Sequence, residues 1–380
     1  MIKISEQLKA IRKAAGFTQE DVAEKLCITR QALSNWEQGK TIPDLYMFAQ
    51  LAAIYHFSPD EFLLVKASFK GTTNMKMNFS EAQIECYIQK WYPTTANLTP
   101  LSGGLVSQTY SFTADGKKYV FQIGGSQKAY EKERYIGAEY SGILPFREVL
   151  HIQETNDGIA FCISRYMEGC GLDKLNERER REIIGPVIDI IDKMGRITIP
   201  ADMGFGFFDA GGYARYPTWV DFVSAVDNEN VFNWSTLTQK GMDDTAIKKA
   251  IRKVRENIAY ADLKQAGLVL GDLNVLADNG RVTGLIDCDF ALYGDPLYCV
   301  ASLLFWDVIK TRDITAAVVR HYLTDETSNR RAYCYILRYA LEEIYSTVIL
   351  DEIGYDVRWV CRRLDELLTN GLCHTELSPV

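Results

Sequence analysis

The sequence predicts a multidomain chain: an all-α helix-turn-helix bundle first, then a larger α+β body of two lobes. Three observations carry this expectation. The chain has 380 residues, more than one ordinary domain holds, so two or three domains are expected. Residues 1–66 contain only short helical patterns with start and stop signals. Strand patterns with hairpin turns begin near residue 98, and beyond Gly171 the chain reads as largely helical until residue 266. Composition bounds the rest. Hydrophobic residues at 47% and charged residues at 24% are ordinary globular usage and exclude a disordered chain. No apolar run approaches the ~18 to 20 residues of a membrane helix. The start, MIKISEQLKAIRK, is too charged for a signal peptide. Nine cysteines, odd in number and without metal-ligand spacing, read as reduced thiols, so a cytoplasmic protein with no membrane partner is expected. The net charge is −8, yet residues 1–66 hold eight basic and eight acidic residues, which leaves 34 basic against 42 acidic in the remainder. That balance argues against non-specific coating of nucleic acid and leaves room for a small neutral module with a basic face.

Within residues 1–66, Ser5 caps a first helix through Leu8, Ile11 and Ala15, and Gly16 ends it. Thr18 with Asp21 opens a second through Val22, Ala23 and Leu26. After the turn Cys27-Ile28, Thr29 caps a third helix from Arg30 to Gln38, stopped by Gly39. Pro43-Asp44 and Ser58-Pro59 open a fourth and a fifth. Helices joined by so tight a turn form a helix-turn-helix. In the third helix Ala32, Leu33 and Trp36 lie at core spacing, leaving Arg30, Gln31, Ser34, Asn35 and Lys40 outward. Gln and Asn pair bidentately with adenine, Arg with guanine, and Ser binds phosphate. Gln19 is positioned to hold a phosphate and orient its neighbour. The plainer alternative is a small bundle with a solvated polar face. The segment FTQEDVAEKLCITRQALSNWEQGKTIPDLYMFAQLAAIYHFSPDEFL resembles the XRE/Cro family of repressor-like domains. The resemblance implies that Thr29–Gln38 docks in the major groove of a double-stranded DNA operator, as a homodimer on a two-fold site.

Residues 67–76 lose periodicity and read as a linker, and two lobes are expected at 77–167 and 168–380. Ser80–Trp91 reads as a helix. LTPLSGGLVSQTYSFTADGKKYVFQIG gives strand, glycine turn, strand, an Asp115-Gly116 hairpin and strand. The turn at Ser102, Gly103 and Gly104 can fold over phosphates and offer backbone N–H groups, although most such turns only connect strands. Helix Lys128–Tyr140 and strands Arg147–Gln153 and Gly158–Met167 follow.

The densest chemistry is LVLGDLNVLADNGRVTGLIDCDFALYGDP, residues 268–296. One strand ends at Asp272 with Asn274 just beyond; a second delivers Asp287, with Asp289 two positions on. Carboxylates and an amide converging from strand ends suit Mg, which takes oxygen ligands and bridges phosphates. Asp278-Asn279-Gly280 reads as a plain turn. Residues 75–375 resemble the aminoglycoside phosphotransferases, most of all the hygromycin B phosphotransferases, through LSGGLVSQTYSF, EKERYIG, FCISRYMEG, GFGFFDAGGYARYPTWVDF, VLADNGRVTGLID and GDPLYCVASLLFW. The resemblance implies a protein-kinase-like fold with ATP between the lobes and adenine contacts near Ile163–Met167, so Ser164 and Tyr166 become cofactor candidates. It also implies a catalytic Asp272, Mg ligands Asn274 and Asp287, and a loop-supporting Gly294-Asp295. The implied substrate is a cationic antibiotic; Asp307, Glu342 and Glu343 are candidates for its acidic lining, against the plainer reading of solvated helix faces.

Three departures from the family pattern bear on activity. The family's His two residues before the catalytic Asp is here Leu270. Only Leu273 separates Asp272 from Asn274, so the catalytic loop is about three residues short, and extended chain gains at most ~3.6 Å per residue. The strand cation that meets ATP phosphates is here the neutral Gln122, which leaves its expected partner Glu133 unpaired unless Lys117, Lys118 or Lys128 substitutes. Phosphoryl transfer depends on preorganised charge. The expectation is therefore a DNA-binding transcriptional regulator whose phosphotransferase-like body is catalytically degenerate and senses a nucleotide or antibiotic-like cation. The alternative is an active ATP- and Mg-dependent phosphotransferase that modifies an antibiotic hydroxyl.

Overall fold

The computed structural model describes residues 8, 9, 12, 17–26, 28–38, 40, 41, 47, 51 and 54 of the N-terminal part. In the remainder it describes 79–372 apart from 102–106, 156, 157, 241 and 350–356. Two compact units result, Met1–Thr73 and Asn74–Val380. The helix starts expected at Ser5, Pro43 and Ser58, the linker, and the Ser102-Gly103-Gly104 turn lie outside the described residues.

In the first unit, α1 (Gln19–Lys25) opens on a capping box, with the Thr18 hydroxyl accepting from Asp21 N–H while the Asp21 carboxylate accepts from Thr18 N–H. The turn closes with Ile28 N–H on Ala23 O at 3.0 Å. Then α2 (Arg30–Glu37) begins with the Thr29 hydroxyl accepting from Ala32 N–H. Among the described residues Leu8, Val22, Leu26, Leu33 and Leu51 form an apolar core, with Trp36 packed against it. A buried clamp adds to it: Arg12 meets both carboxylate oxygens of Glu37 at 2.6 and 3.0 Å.

The second unit starts with α3 (Glu81–Ile88), capped by Ser80. Strands β1 (Ala96–Pro100), β2 (Gln108–Ala114), β3 (Lys117–Gly125), β4 (Val149–Glu154) and β5 (Ala160–Arg165) make an antiparallel sheet in the order β1-β2-β3-β5-β4. The β2–β3 turn holds Asp115 and Gly116 at φ 49° and 69°, the left-handed pair that an Asp-Gly hairpin requires. Ile84, Ile88, Phe112, Phe121 and Phe161 pack α3 onto this sheet. Helix α4 (Gln127–Tyr140) follows β3 and lies against β4. Gly137 permits that approach, since a Cβ there would sit 2.6 Å from Arg147 O.

The second lobe contains two small sheets. Strands β6 (Cys170–Gly171), β10 (Val275–Asp278) and β11 (Arg281–Leu285) run in the order β11-β10-β6; β7 (Phe205–Phe208), β8 (Ala214–Tyr216), β9 (Gly267–Leu270) and β12 (Ala291–Gly294) run β8-β7-β12-β9. Around them lie α5 (Glu177–Arg196), α6 (Trp219–Ser224), α7 (Ser235–Gln239), α8 (Thr245–Asn257), α9 (Leu297–Trp306), α10 (Arg312–Tyr322), α11 (Glu326–Ile344) and α12 (Val357–Asn370). The hairpin β7–β8 interrupts the stretch expected to be helical. Its glycines explain the difference: Gly206 has φ 91° and abuts the Phe222 ring where no Cβ fits, a backbone that helix cannot supply. The core is continuous, with Trp219, Tyr293, Tyr298, Phe305 and Tyr335 fully buried. Among the described residues no helix is long and apolar enough to cross a membrane. The architecture is thus an N-terminal helix-turn-helix region followed by an α+β, kinase-like body.

Candidate active site and nucleic-acid interface

Three strand ends build the candidate active site. β9 delivers Gly271 and Asp272; β11 delivers Asp287; Asp289 precedes β12. Leu270 is buried in β9, paired with Ala291, so a hydrophobic side chain holds the position where the resemblance expects His. Asn274 N–H bonds Asp272 O at 3.2 Å and Asn274 O accepts from Ile286 N–H at 3.1 Å, so the short loop folds as a tight turn locked to the approach of Asp287. Leu273 is tucked against the main core.

The Asp272 carboxylate is not free. Tyr339 donates its hydroxyl to Oδ1 at 2.8 Å, and Trp306 Nε1 donates to that Tyr339 oxygen at 2.8 Å. Burial raises the Asp272 carboxyl above the ordinary range, opposed by hydrogen bonds from Tyr339 and Trp306. Asp289 is pushed up to about 6 by burial and by the nearby Asp287 charge, with Lys132 opposing. Asp287 is exposed and sits at φ 59°, an uncommon backbone for a side chain with a Cβ.

Helix α4 grips this segment with two adjacent side chains. Lys132 donates to Asp289 O at 2.6 Å and Ala291 O at 2.7 Å, and burial lowers its amine to about 8. Glu133 Oε1 accepts Cys288 N–H at 2.9 Å. Its other oxygen accepts from Arg147 Nη2, and Arg147 Nη1 donates to Gln122 Oε1 at 2.7 Å. Gln122 Nε2 in turn donates to Ser107 Oγ at 3.0 Å. The expectation of an unpaired Glu133 is therefore corrected: Arg147 is its partner. Lys117, Lys118 and Lys128 do not serve; all three are exposed, and Lys118 lies 3.6 Å from the Tyr166 ring centroid. Sequence reasoning missed Arg147, although a buried carboxylate that must find a cation was the signal.

Among the described residues no three His, Cys, Asp or Glu side chains converge as a metal site. The carboxylate of Asp287 and the amide of Asn274 are both exposed, and as oxygen donors they would hold a Mg only together with oxygens supplied by a bound phosphate. When bound, such an ion would offset phosphate charge. Ser164 is fully buried in β5 with its hydroxyl unpartnered, so its side chain does not reach a cleft, and only its backbone is a candidate for adenine.

A cavity of about 190 Å³ opens beside Asp272, lined by Phe207, Gly271, Asp289, Phe290, Tyr339, Glu342, Glu343 and Ser346. Glu342 and Glu343 thus face a cavity and are not merely solvated. Glu342 accepts from Tyr298 OH at 3.3 Å and from Arg338, whose guanidinium lies 3.7 Å from the Phe222 ring centroid. Asp307 does not join them. It ends α9 at φ 39° and is held in a two-pronged ion pair with Arg312 at 3.0 and 2.7 Å. Asp295 is buried and accepts Leu297 N–H, at the start of α9, at 3.0 Å, with Tyr335 and Arg331 donating to its other oxygen.

On the helix-turn-helix, Thr29, Arg30, Gln31 and Lys40 are exposed and Ser34 and Asn35 half-buried. Gln31 Nε2 donates to Asn35 Oδ1 at 3.1 Å, which presets both amides; Arg30 meets Glu20 at 3.2 Å and Ser34 accepts from Gln38. Gln19 donates to Glu37 Oε2 at 2.8 Å, which orients its amide from the buried clamp.

Residues 8–62 match the helix-turn-helix family, and residues 97–333 match the phosphotransferase enzyme family. The hygromycin-B 4-O-kinase of Escherichia coli is 29% identical over 303 residues, 78% of this chain and 87% of that protein. The transcriptional activator BcrR of Enterococcus faecalis is 32% identical over 80 residues, 20% of this chain and 39% of that protein. A thermostable mutant of aminoglycoside phosphotransferase APH(4)-Ia, in ternary complex with ADP and hygromycin B, superposes with TM-score 0.67 at 29% identity. It covers 76% of this chain and 98% of that one. With the kinase-like fold, the converging Asp272 and Asp287 strands and a match over most of the body, this chain belongs to the phosphotransferase enzyme family, carrying a helix-turn-helix domain ahead of it.

Proposed function

We propose that the chain is a DNA-binding regulator whose phosphotransferase-type body binds a cationic, aminoglycoside-like molecule and a Mg-bound adenine nucleotide, and signals their presence instead of transferring phosphate. The observation that carries this reading is the Asp272 turn. One residue separates Asp272 from Asn274, and the Asp272 carboxylate is occupied by the Tyr339 hydroxyl at 2.8 Å. A general base must be within reach of the proton it takes. Here one of its two oxygens, Oδ1, already accepts from the protein, while the acidic lining of Asp289, Glu342 and Glu343 remains suited to amines. Hygromycin B, the ligand of the structural relative, is the first probe. Thr29, Arg30, Gln31, Ser34, Asn35 and Lys40 form the proposed DNA face, as two copies on a two-fold operator in the cytoplasm.

Regulation requires that the ligand bind the DNA-competent and DNA-incompetent states with different affinity. The test is twofold. Purified protein is incubated with Mg-ATP and hygromycin B, and transferred phosphate is measured by mass spectrometry. Operator DNA, selected from a random pool, is then titrated with and without each ligand. Ligand binding without transfer, together with a shifted operator affinity, supports the sensor. Turnover that disappears in Asp287→Ala establishes the enzyme instead, and an operator affinity indifferent to every bound ligand sinks the sensor.

A further inference from the structure

The strand residue expected to carry a positive charge toward nucleotide phosphates is the neutral Gln122, yet the carboxylate expected to hold such a cation, Glu133, is paired. Its partner Arg147 comes from the segment ahead of β4, and the guanidinium spans the gap between β3 and α4. One terminal nitrogen donates to Gln122 Oε1 at 2.7 Å and the other to Glu133 Oε2. Gln122 has turned its acceptor oxygen to the guanidinium and its amide nitrogen to Ser107, just ahead of β2. Glu133 carries the contact on to the backbone of Cys288, next to Asp287. Arg147 and Asp287 line one small cavity of about 10 Å³, and the buried Arg147 Nε–H has no partner among the described residues.

These contacts have a direction. An ion pair made only to tie two elements would satisfy all its donors, because an unpaired buried donor carries a penalty. Here each terminal nitrogen is anchored by one bond, the buried Nε–H has no partner among the described residues, and the side chain shares a cavity wall with Asp287, the proposed Mg ligand. A planar, permanently charged group with spare donors matches a phosphate oxygen.

We propose that Arg147 is the nucleotide-phosphate-binding cation of this chain, a charge moved from position 122 on β3 to the approach of β4 and held in the same place by Glu133. This rests on the proposed nucleotide binding. It follows that the body retains phosphate recognition although its catalytic loop is short.

The test measures the affinity of the full chain for Mg-ATP and for adenosine by calorimetry. Three variants are compared: Arg147→Met, Arg147→Met with Gln122→Arg, and Arg147→Lys. Arg147→Met is expected to lower Mg-ATP affinity on the order of tenfold or more while adenosine affinity stays within about twofold. The double variant, with the charge back on β3, is expected to recover most of the loss. A folded Arg147→Met protein that binds Mg-ATP like the natural chain overturns the proposal. So does a folded double variant that binds Mg-ATP no better than Arg147→Met. Should Arg147→Met fail to fold, the double variant decides, because it restores a partner for Glu133. If the natural chain binds neither Mg-ATP nor adenosine, nucleotide binding itself fails and this proposal falls with it; adenosine bound without any preference for Mg-ATP overturns the phosphate role alone.

Discussion

With its carboxyl pushed up to about 6, Asp289 changes charge just below neutrality, inside the cavity proposed for a cationic ligand. The sign of two effects follows. Its pKa is raised over the ordinary 3.8, so between those values the folded chain holds more protons than the unfolded chain. Its contribution to stability is therefore largest at low pH and falls as pH rises through about 6. Cation binding runs the other way, because the anion appears only as that pH is passed. Hygromycin B affinity is expected to strengthen between about pH 5 and pH 7, and Asp289→Asn to flatten that rise. A pH profile identical in the natural chain and in Asp289→Asn would assign the dependence elsewhere. Arg338 matters at the same scale through charge left behind. Its side chain is fully buried against Phe222 and bonded to Tyr298 OH at 2.8 Å and to Glu342. Arg338→Met leaves Glu342 without its cation. A loss of about 3 kcal/mol is expected, the low end for a broken buried pair because Glu342 is partly exposed, measured by urea unfolding; an unchanged midpoint would show that the pair contributes nothing.

Among the elements, α2 and α11 each present a face that the chain has prepared elsewhere. The start of α2 is set by Thr29, and Gln31 and Asn35, one turn apart, hold each other's amides at 3.1 Å. Preset amides lose less rotamer freedom on meeting a base. Gln31→Ala is expected to weaken specific operator binding by about 1–3 kcal/mol while leaving binding to random DNA unchanged, read by anisotropy titration at fixed salt. Equal losses on both DNAs would make Gln31 a backbone contact. Helix α11 spans from Glu326 to Ile344 and delivers Arg338, Tyr339, Glu342 and Glu343. Because neighbours three and four apart share a helix face, Tyr339 reaches Asp272 while Glu342 and Glu343 line the cavity beside it. One helix thereby couples the Asp272 carboxylate to the proposed ligand pocket.

For the molecule as a whole, the combination of a repressor-like module with a phosphotransferase body turns on the Gly271–Asn274 turn. Lengthening it by about three residues after Leu273 allows Asp272 and Asn274 to separate along the chain. On the proposed reading, that variant is expected to transfer phosphate from ATP to hygromycin B faster than the natural chain; retained binding of both ligands with no gain in transfer would show that loop length does not limit the chemistry. Much of the architecture was legible in the sequence because its determinants are local. Thr18, Thr29 and Ser80 announce helix starts through hydroxyls that reach the next turn, and Asp115-Gly116 announces a hairpin through left-handed backbone. Asp272, Asn274 and Asp287 stood out because strand ends and their spacing are themselves sequence features. The roles around them were not legible. Arg147 as the partner of Glu133, Tyr339 on Asp272 and Lys132 under Asp289 join residues 14, 67 and 157 positions apart. The pairing of Asp307 with Arg312 is only five positions apart, yet it depends on the left-handed end of α9. By itself the sequence determined the two kinds of domain and the shortened loop, since helix caps, turns and periodicity act over a few residues. Only the tertiary structure decided which charges meet, because a buried ion pair is chosen by what packing brings within about 3 Å, and spacing along the chain carries no record of that.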